Sequence, residues 1–482
     1  MDNTKVVGLV VGALLVALSV LMLVPILAEL VANSGDWQAF LGSAVITGFV
    51  GGALMLANQT EDRDLGHRAT FLVTVLSWLS VGAFSALPFA LSRVGMSYPD
   101  AFFEAMSGFT TTGATVMVGL DMTPPGLLLW RSLLQWVGGI GIIVTAVAIL
   151  PFLRVGGMQL FRTESSDRSD KVLPRPGQIA VAIGEVYLLL TLLCALAYMA
   201  AGMSAFEALN HAMTTLSTGG YSTHDASFGY FDNAAIEWIA VVFMISGAVP
   251  LVLYVHTARG TGETLWGDPQ VRVFVGFLVI VWIMLALWLA MRGDYSFFTA
   301  LRYTAFNVTS IVTTTGYASM DYEVWGGFAS AVFLFLMFLG GCTGSTSGGI
   351  KMFRLQVLAM LLRTQVRQTL YPHVAQTLRY GNRTVSRDIV FSVALFVFVY
   401  LASMVAVTLV LAAFGLDLVA ALSSAVTAIG NVGPGLGPIV GPAGNFSTLP
   451  DGAKIVMALA MLLGRLELLT VLVMFSKDYW LE

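Results

Sequence analysis

Long apolar stretches alternate with short polar turns along most of the chain. About 20 apolar residues are enough to cross a bilayer, and many of the stretches reach that length. Four of the polar turns share one pattern, in which Thr, Ser or Asn precede a glycine: TTTG at 110–113, STGG at 217–220, TTTG at 313–316 and GNVG at 430–433. The pattern predicts spanning helices interrupted by polar turns.

The same elements flank each of the four turns. A spanning run precedes each turn, over about 69–92, 178–202, 272–291 and 388–414. A shorter amphipathic segment, too short to span, leads into each turn, over about 99–109, 205–216, 297–312 and 417–429. Another spanning run follows each turn, over about 126–152, 234–256, 327–362 and 449–475. Each quarter is therefore predicted to be helix, re-entrant helix, turn and helix.

These quarters are internal repeats, a sign of a repeated fold. AMSGFTTTG at 105–113 lies without gaps over AMTTLSTGG at 212–220; the copy at 308–316 keeps the polar rhythm, and the copy at 425–433 diverges most. Because each re-entrant segment returns to its own side, all four units keep one orientation and can surround one axis. We predict an all-α polytopic membrane protein with a central pore, with two N-terminal helices in 1–57 and pore repeats at 69–155, 177–258, 271–370 and 388–482.

Composition agrees with this class. Hydrophobic residues make up 57% of the chain and charged residues 11%, against about 25% charged in a soluble domain. The first apolar run, at 6–31, is longer than the apolar core of a signal peptide, so we expect a retained helix. Cys194 and Cys342 form no metal-ligand or disulfide pattern.

Lys and Arg concentrate in one set of connections, which the positive-inside rule assigns to the cytoplasm. These cations are Arg63, Arg68, Arg154, Arg162, Arg168, Lys171, Arg175, Arg259, Arg272, Arg354, Arg363, Arg367, Arg379, Arg383, Arg387 and Lys477. The opposite side has only scattered cations, such as Arg93, Arg292 and Arg302. Both termini are therefore expected inside, with the four turns opening to the outside.

Polar backbone at membrane depth is tolerated only where it lines a cavity or is buried in protein. Four such turns indicate four parts of one ring, and a ring of carbonyls replaces the water around a monovalent cation. Glycine permits the unusual φ and ψ values that turn carbonyls inwards; the four glycines are Gly113, Gly220, Gly316 and Gly433. The expected ligands are the carbonyls of Thr111, Thr112, Thr218, Gly219, Thr314, Thr315, Asn431 and Val432. Ordinary small-residue packing is the alternative, but it does not explain four copies in register.

With these turns and flanks the chain resembles the Trk/Ktr/HKT superfamily of potassium-uptake proteins, closest to its TrkH branch, over essentially its whole length. The resemblance implies four joined helix–loop–helix units, each like one subunit of a tetrameric potassium channel. It also implies potassium as the transported ion, because serine in the first filter goes with sodium-preferring members and Gly113 stands there. The irregular fourth turn, NVGPGLG at 431–437, predicts less sharp selection than in a four-fold channel.

The segment GGCTGSTSGG at 340–349 is a second candidate element. Its five glycines each cost a helix about 1 kcal/mol relative to alanine, so we expect a helix break facing a water-filled cavity beneath the filter. It resembles the family's intramembrane gate; tight packing of small residues is the alternative. Lys351 follows it, as an anchor or a partner contact. The segment consists of Gly340, Gly341, Cys342, Thr343, Gly344, Ser345, Thr346, Ser347, Gly348 and Gly349.

Arg465 places a charge on the last spanning run. A charge near the bilayer centre costs roughly 2.5–3.5 kcal/mol, so it is expected to face the pore or a partner. The resemblance implies a positive barrier below the filter. The alternative is an internal ion pair, for example with Glu467, and the two roles are compatible.

Other charged and titratable residues lie close to the turns. Glu104, Glu207 and Asp417 on the re-entrant segments are expected to have structural roles near helix N-termini, with an added effect on cation concentration at the mouth. His211 and His224 show no metal-ligand spacing and are expected to be structural.

The residues predict a transport protein rather than an enzyme, because the membrane-embedded Ser, Thr and Gly have no catalytic partners. No nucleotide-binding motif is present, so no cofactor is expected beyond K⁺ as the transported ion. The resemblance implies a homodimer in the lipid bilayer of the bacterial cytoplasmic membrane, docked on a cytosolic TrkA-like nucleotide-binding ring and not on nucleic acid. The connections at 152–177 and 351–388 are candidate docking surfaces. Na⁺- or H⁺-coupled symport is the alternative, but the sequence offers no clear carboxylate for a second cation.

Overall fold

The computed structural model describes residues 3–60, 66–148, 176–260, 264–372, 378–381 and 383–481. Within these ranges, seven helices are long and apolar enough to cross a membrane, or up to nine if each of two bent helix pairs is one span. The sheet content of the described residues is one small hairpin, β1 (Arg379–Tyr380) and β2 (Arg383–Thr384). The chain is therefore an all-α, multi-pass membrane protein.

Three helices precede the four units. They are α1 (Asn3–Leu21), α2 (Leu23–Ala32) and α3 (Trp37–Ala57). The first two are separated only at Met22 and together form one apolar span, Thr4–Ala32. Helix α1 packs along α3. The N-terminal part of the chain thus supplies the two spans expected from its sequence.

The four units follow in order, each with a helix, a short re-entrant helix and an inner segment. The first unit contains α4 (His67–Ser85), α5 (Leu87–Leu91), α6 (Tyr98–Phe109) and α7 (Pro125–Ala148). The second contains α8 (Pro176–Ala200), α9 (Ala205–Leu216), α10 (Ala234–Ala248) and α11 (Leu251–Arg259). The third contains α12 (Pro269–Arg292), α13 (Phe297–Val312), α14 (Gly327–Leu336) and α15 (Met352–Leu370). The fourth contains α16 (Arg387–Ala413), α17 (Leu418–Gly430), α18 (Asp451–Arg465), α19 (Leu469–Leu472) and α20 (Lys477–Leu481).

Short 3₁₀ turns occur in the connections of every unit. They cover Leu120–Met122, Ser227–Tyr230, Tyr322–Trp325 and Val473–Phe475. The candidate docking connection at 152–177 lies almost entirely outside the described residues.

Each re-entrant helix begins at a side chain that caps its free N–H groups. Ser97, Ser204 and Ser296 accept a hydrogen bond from the backbone three residues on, and Ser204 forms a full capping box with Glu207. Asp417 accepts from two backbone N–H groups of α17. Glu207 and Asp417 therefore have the capping roles expected of them.

The units are arranged in a circle. The inner helix of one unit packs against the re-entrant helix of the next, α7 on α9 and α10 on α13. Helix α18 of the last unit packs against α6 of the first, which closes the circle. The carboxyl ends of α6, α9, α13 and α17 are thereby directed to one region.

The inner segments differ from unit to unit. Helix α7 is continuous, whereas α10 and α11 meet at 89° and α18 meets the short helices after it at 106°. The runs at 234–256 and 449–475 were each expected to be a single span, and both are bent. Pro250 lacks the N–H that a helix needs, and Glu467 and Leu468 have left-handed φ values of 63° and 31°.

Candidate ion pathway

The four polar turns meet in a closed circle. We use the name "ring" for residues 111–113, 218–220, 314–316 and 431–433. A methyl group placed on any of the four glycines that end the turns would approach the carbonyl oxygen of the neighbouring turn too closely, and the facing pairs are Gly113 and Gly219, Gly220 and Thr315, Gly316 and Val432, and Gly433 and Thr112. The residues expected as ligands are therefore gathered in one place, with carbonyls from all four turns.

All four turns of the ring have the same backbone conformation. The second residue before each glycine is left-handed, with φ of 55° at Thr111, 51° at Thr218, 58° at Thr314 and 55° at Asn431. The glycines themselves have φ between 79° and 113°, while the residue between is not left-handed. Positive φ is uncommon outside glycine, so its recurrence at four equivalent positions indicates one shared backbone requirement.

Backbone hydrogen bonds tie each turn to its re-entrant helix in the same way. The N–H before each glycine donates to the carbonyl five residues earlier: Thr112 to Ser107 at 2.8 Å, Gly219 to Thr214 at 2.9 Å, Thr315 to Ser310 at 2.8 Å and Val432 to Thr427 at 3.0 Å. The fourth turn keeps this bond despite its divergent sequence. The N–H groups are thus satisfied by the helix, and the carbonyls are left for the ring.

Side chains support three of the turns from behind. In the first turn the hydroxyls of Thr110 and Thr112 are 2.7 Å apart. In the third, those of Thr313 and Thr315 are 2.8 Å apart. In the fourth, Asn431 Nδ2 donates to the Thr112 hydroxyl at 3.0 Å and so links the fourth turn to the first.

Sequence reasoning missed two polar residues on α7, Arg131 and Gln135. Arg131 Nε donates to Glu104 Oε1 at 2.8 Å, with both side chains buried, and its Nη1 donates to the Ser222 carbonyl at 2.8 Å. Gln135 donates to the ring carbonyl of Gly219 at 2.6 Å. Glu104 is therefore part of a buried support behind the ring. The sequence could have indicated them, because an arginine and a glutamine one helical turn apart on an apolar span are unusual.

A cavity of about 230 Å³ lies next to the ring and is lined by the four glycines that end the turns. On its rim His224 Nδ1 lies 2.5 Å from Asp121 and Nε2 lies 3.0 Å from Glu207. The hydrogen bond from His224 lowers the pKa of Asp121. Asp225 accepts hydrogen bonds from the backbone of Gly119 and the next residue, so its carboxylate is used by the loop.

The two histidines near the ring have protein partners. His211 bonds the Glu207 carbonyl at 2.8 Å and the Ser222 hydroxyl at 3.0 Å. His224 bridges two carboxylates at the rim. Among the residues that the structure describes, no group of three or more His, Cys, Asp or Glu could hold a metal ion.

The glycine-rich segment, 340–349, lies in the break between α14 and α15, directly against the ring. The Thr346 hydroxyl is 3.0 Å from that of Thr218 and donates to the carbonyls of Leu216 and Gly247 at 3.1 and 3.0 Å. The Gly348 N–H donates to the Thr314 hydroxyl at 2.7 Å. The segment thus forms hydrogen bonds with two of the four turns.

Further bonds hold the segment at its base and sides. Gly340 N–H donates to the Ile350 carbonyl at 3.0 Å, which closes the loop, and Cys342 N–H donates to Ala248 at the 89° bend. Thr343 N–H donates to Gln270 at 3.0 Å. Three further bonds lie within the loop and the start of α15: Ser345 donates to the Cys342 carbonyl, Lys351 Nζ donates to the Ser347 carbonyl and Met352 N–H donates to Gly341.

Arg465 ends α18 beside the glycine-rich segment. Its Nη1 donates to the Thr346 carbonyl at 2.8 Å, and its Nε and Nη2 are buried without a hydrogen-bond partner among the described residues. Glu467 forms its ion pair with Arg354 instead. The ion pair of Arg465 with Glu467, which the sequence left open as an alternative, is therefore not present in the described residues. The guanidinium of Arg465 instead has unused donors next to the glycine-rich segment.

The spanning helices and the circle of re-entrant turns define the chain as a multi-pass membrane protein built around one axis. Residues 37–480 match the family model TrkH, described as a cation transport protein. The chain is 44% identical over 472 residues to the Trk system potassium uptake protein TrkI of Halomonas elongata, covering 98% of this chain and 96% of that protein. It is 38% identical over 479 residues to the Trk system potassium uptake protein TrkH of Escherichia coli K12, covering 98% of each.

A solved structure is similar over the whole fold. The crystal structure of the potassium transporter TrkH from Vibrio parahaemolyticus matches with a TM-score of 0.91 and 35% identity, covering 99% of each chain. The chain belongs to the TrkH family of cation transport proteins. The family resemblance drawn from the four turns is thereby confirmed, while the roles of individual ring and gate residues stay predictions.

Proposed function

We propose that this chain takes up potassium across the bacterial cytoplasmic membrane by passing the ion through the ring. The main support for this proposal is the circle of facing carbonyls, to which four turns with the same φ pattern contribute. The similar proteins are described as potassium uptake proteins or a potassium transporter, which supports the choice of ion.

The proposed ion ligands are the carbonyls of the two residues before each ring glycine. Carbonyl dipoles replace the hydration shell without a full negative charge, so an ion can enter and still leave. The membrane potential supplies the driving force, about 2.3 kcal/mol per charge per 100 mV. No cofactor is required for this role and no enzymatic step is proposed.

The glycine-rich segment is the proposed gate, with Arg465 as a positive barrier beside it. The segment occupies the inner side of the ring, and the hydroxyl of Thr346 bonds both the ring and the bend at Gly247. Conduction requires the segment to move away, which breaks these bonds. The guanidinium of Arg465 repels cations while it remains next to Thr346.

A cytosolic partner is the proposed regulator, as a TrkA-like nucleotide-binding ring under a homodimer of this chain. Both termini are placed in the cytoplasm in this arrangement. Helix α15 leads from the gate towards that side, and its surface offers exposed Arg363 and Arg367 beside Leu362, which is 65% exposed. A partner bound to α15 would pull directly on the carboxyl end of the gate.

Coupled symport receives less support, because it needs a free buried carboxylate for a second cation. Each buried carboxylate among the described residues already has a partner: Glu29 with Gly126 N–H, Asp36 with Arg93, Glu104 with Arg131, Glu237 with Arg302, Asp268 with Gln270 N–H and Glu467 with Arg354. These carboxylates are structural in this conformation.

The test is potassium and sodium flux through the purified chain in liposomes under an imposed voltage. We expect potassium-preferring flux that follows the voltage. Gly113→Ser should admit more sodium, because its side chain would displace the facing Gly219 carbonyl. Flux that appears only with a proton or sodium gradient would replace this proposal with coupled transport. An unchanged permeability ratio in Gly113→Ser would contradict the assignment of the ring as the filter.

A further inference from the structure

We propose that Gln135 is a positioning residue for ion selection, which holds the Gly219 carbonyl in the ring and thereby favours potassium over sodium. The inference rests on the proposed function of the ring. Gln135 lies on α7, in the first unit, but acts on the turn of the second unit.

The side chain of Gln135 is fully buried and both ends of its amide are engaged. Nε2 donates to the Gly219 carbonyl at 2.6 Å, and Oε1 accepts from the Tyr221 N–H at 3.0 Å. A backbone carbonyl only accepts and a backbone N–H only donates, so the amide has one possible orientation. Gln135 therefore spans Gly220 and fixes the backbone on both of its sides.

Comparison with the first and third turns indicates what the external support at the second turn replaces. In the first and third turns, the residue before the ring glycine is a threonine held by its own neighbour: Thr112 by Thr110 and Thr315 by Thr313. The equivalent position in the second turn is Gly219, which has no side chain to hold.

Gly219 is not required by the backbone, since its φ is not left-handed. A Cβ at this position would instead overlap the Gln135 amide. Gln135 thus occupies the space that a threonine side chain takes in the first and third turns. The glutamine and the glycine form a matched pair, 84 positions apart.

The hydrogen bond affects selection because it acts on a proposed ion ligand. A sodium ion is smaller than potassium and requires the ring oxygens to move inwards. The bond from Gln135 opposes that movement at Gly219. The partial positive charge of the donor hydrogen also offsets part of the field that the oxygen exerts on the ion, and a weaker ligand field disfavours the smaller ion more strongly.

The test compares three variants in the liposome flux assay: Gln135→Ala, Gln135→Met and the double variant Gln135→Ala with Gly219→Thr. Both single variants remove the donor, and the methionine keeps the side-chain volume. We expect the potassium-to-sodium permeability ratio to fall about fivefold in each, the effect of one hydrogen bond. The double variant should recover most of the ratio, because the new hydroxyl would face Ser217 as Thr112 faces Thr110.

Gln356→Ala is the matched control, because Gln356 also donates to a backbone carbonyl, that of Pro269, and lies away from the ring. Its permeability ratio should equal that of the parent. Protein yield and thermal unfolding are measured for every variant, so that loss of fold is separated from loss of selection.

The outcomes separate this inference from the function on which it rests. If Gly113→Ser shifts the ratio and the folded Gln135→Met does not, the ring selects ions without help from Gln135, and the inference is wrong. If neither changes the ratio, the ring itself is not the filter. A double variant no better than Gln135→Ala would also overturn the inference, since it would show that Gln135 does more than replace a missing side chain.

Discussion

Each unit has two halves that differ in regularity. We call the re-entrant helix with its turn the outer half, and the inner segment that follows the turn the inner half. In the outer half, four re-entrant helices end in turns with the same φ pattern and the same backbone bond to the helix. In the inner half, one segment is continuous, one bends by 89°, one bends by 106° and one is broken by the glycine-rich segment. The backbone of the four units is therefore nearly four-fold symmetric in the outer half and not symmetric in the inner half.

The proposed function accounts for the difference between the two halves. A spherical ion is surrounded best by equivalent oxygens, so the turns have little freedom to diverge. A gate needs one movable element and rigid neighbours, so a single broken segment is enough. The divergent fourth turn supports this view, because its GNVG sequence still adopts the shared backbone conformation.

The largest expected effect comes from breaking the regular half. Gly316→Ala would place a methyl group against the Val432 carbonyl and would force alanine into a φ of 83°. A left-handed backbone alone costs about 1–2 kcal/mol outside glycine, so we expect potassium flux in liposomes to fall at least about tenfold. Gly276→Ala is the control, because a methyl group there meets nothing within 4 Å. Equal flux in both variants would contradict the close contact in the ring.

A large effect of opposite sign is expected in the irregular half. Arg465→Ala removes a charged donor from the Thr346 carbonyl, and charge-assisted bonds contribute about 1.5–3 kcal/mol. Potassium flux should therefore rise about tenfold. Lys454→Ala removes another buried cation from the same helix, near its amino end, where it pairs with Asp100 at 2.5 Å. That variant should unfold at a lower temperature without increased flux, and increased flux in both would refute a local gate.

A smaller increase is expected from Thr346→Val. The change keeps the shape of the side chain and removes the hydroxyl that bonds Leu216, Gly247 and Thr218. One hydrogen bond is worth about 1 kcal/mol, so flux should rise about fivefold. Thr408→Val, which removes a hydroxyl bonded only within α16, should leave flux at the parental level. No difference between the two valine variants would mean that the bonds of Thr346 do not hold the gate closed.

The smallest effect concerns the rim contact between the first and second units. The hydrogen bond from His224 lowers the pKa of Asp121, so this contact stabilises the fold above the ordinary carboxyl pKa of about 3.9 and is lost as pH falls through the lower folded value. Asp121→Asn should lower the unfolding free energy at pH 7 by at most about 1 kcal/mol, because water screens an exposed pair. Thermal unfolding of parent and variant should converge as the pH falls below the lowered folded pKa of Asp121, and a constant difference at all pH values would exclude the linkage.

The outer half could be predicted closely from the sequence. The amphipathic segment at 205–216 corresponds to α9 (Ala205–Leu216), and the one at 297–312 to α13 (Phe297–Val312). Local signals suffice for these elements, since a capping Ser or Asp starts each helix and the polar turn ends it. The order in which the turns face one another follows from the same regular repeat.

The inner half was less predictable, because its irregularities depend on distant contacts. Pro250 marks one bend, but nothing in the local sequence marks the other, where Glu467 and Leu468 adopt left-handed φ values that are unfavourable for such residues. The ion pair of Glu467 with Arg354 joins positions 113 apart. Gln135 was missed for the same reason, since its partner Gly219 belongs to another unit.

The contacts of the glycine-rich segment with Thr218 and Thr314 connect two equilibria that are usually treated apart. In the proposed function, moving the segment removes hydrogen bonds from two of the turns that surround the ion. The affinity of the ring for its ion must then differ between the closed and open states, and thermodynamic reciprocity requires occupancy to shift the balance between them by the same factor. In that function the permeating ion is, by this coupling, also an effector of its own gate, and external potassium becomes a variable that sets how often the pathway opens.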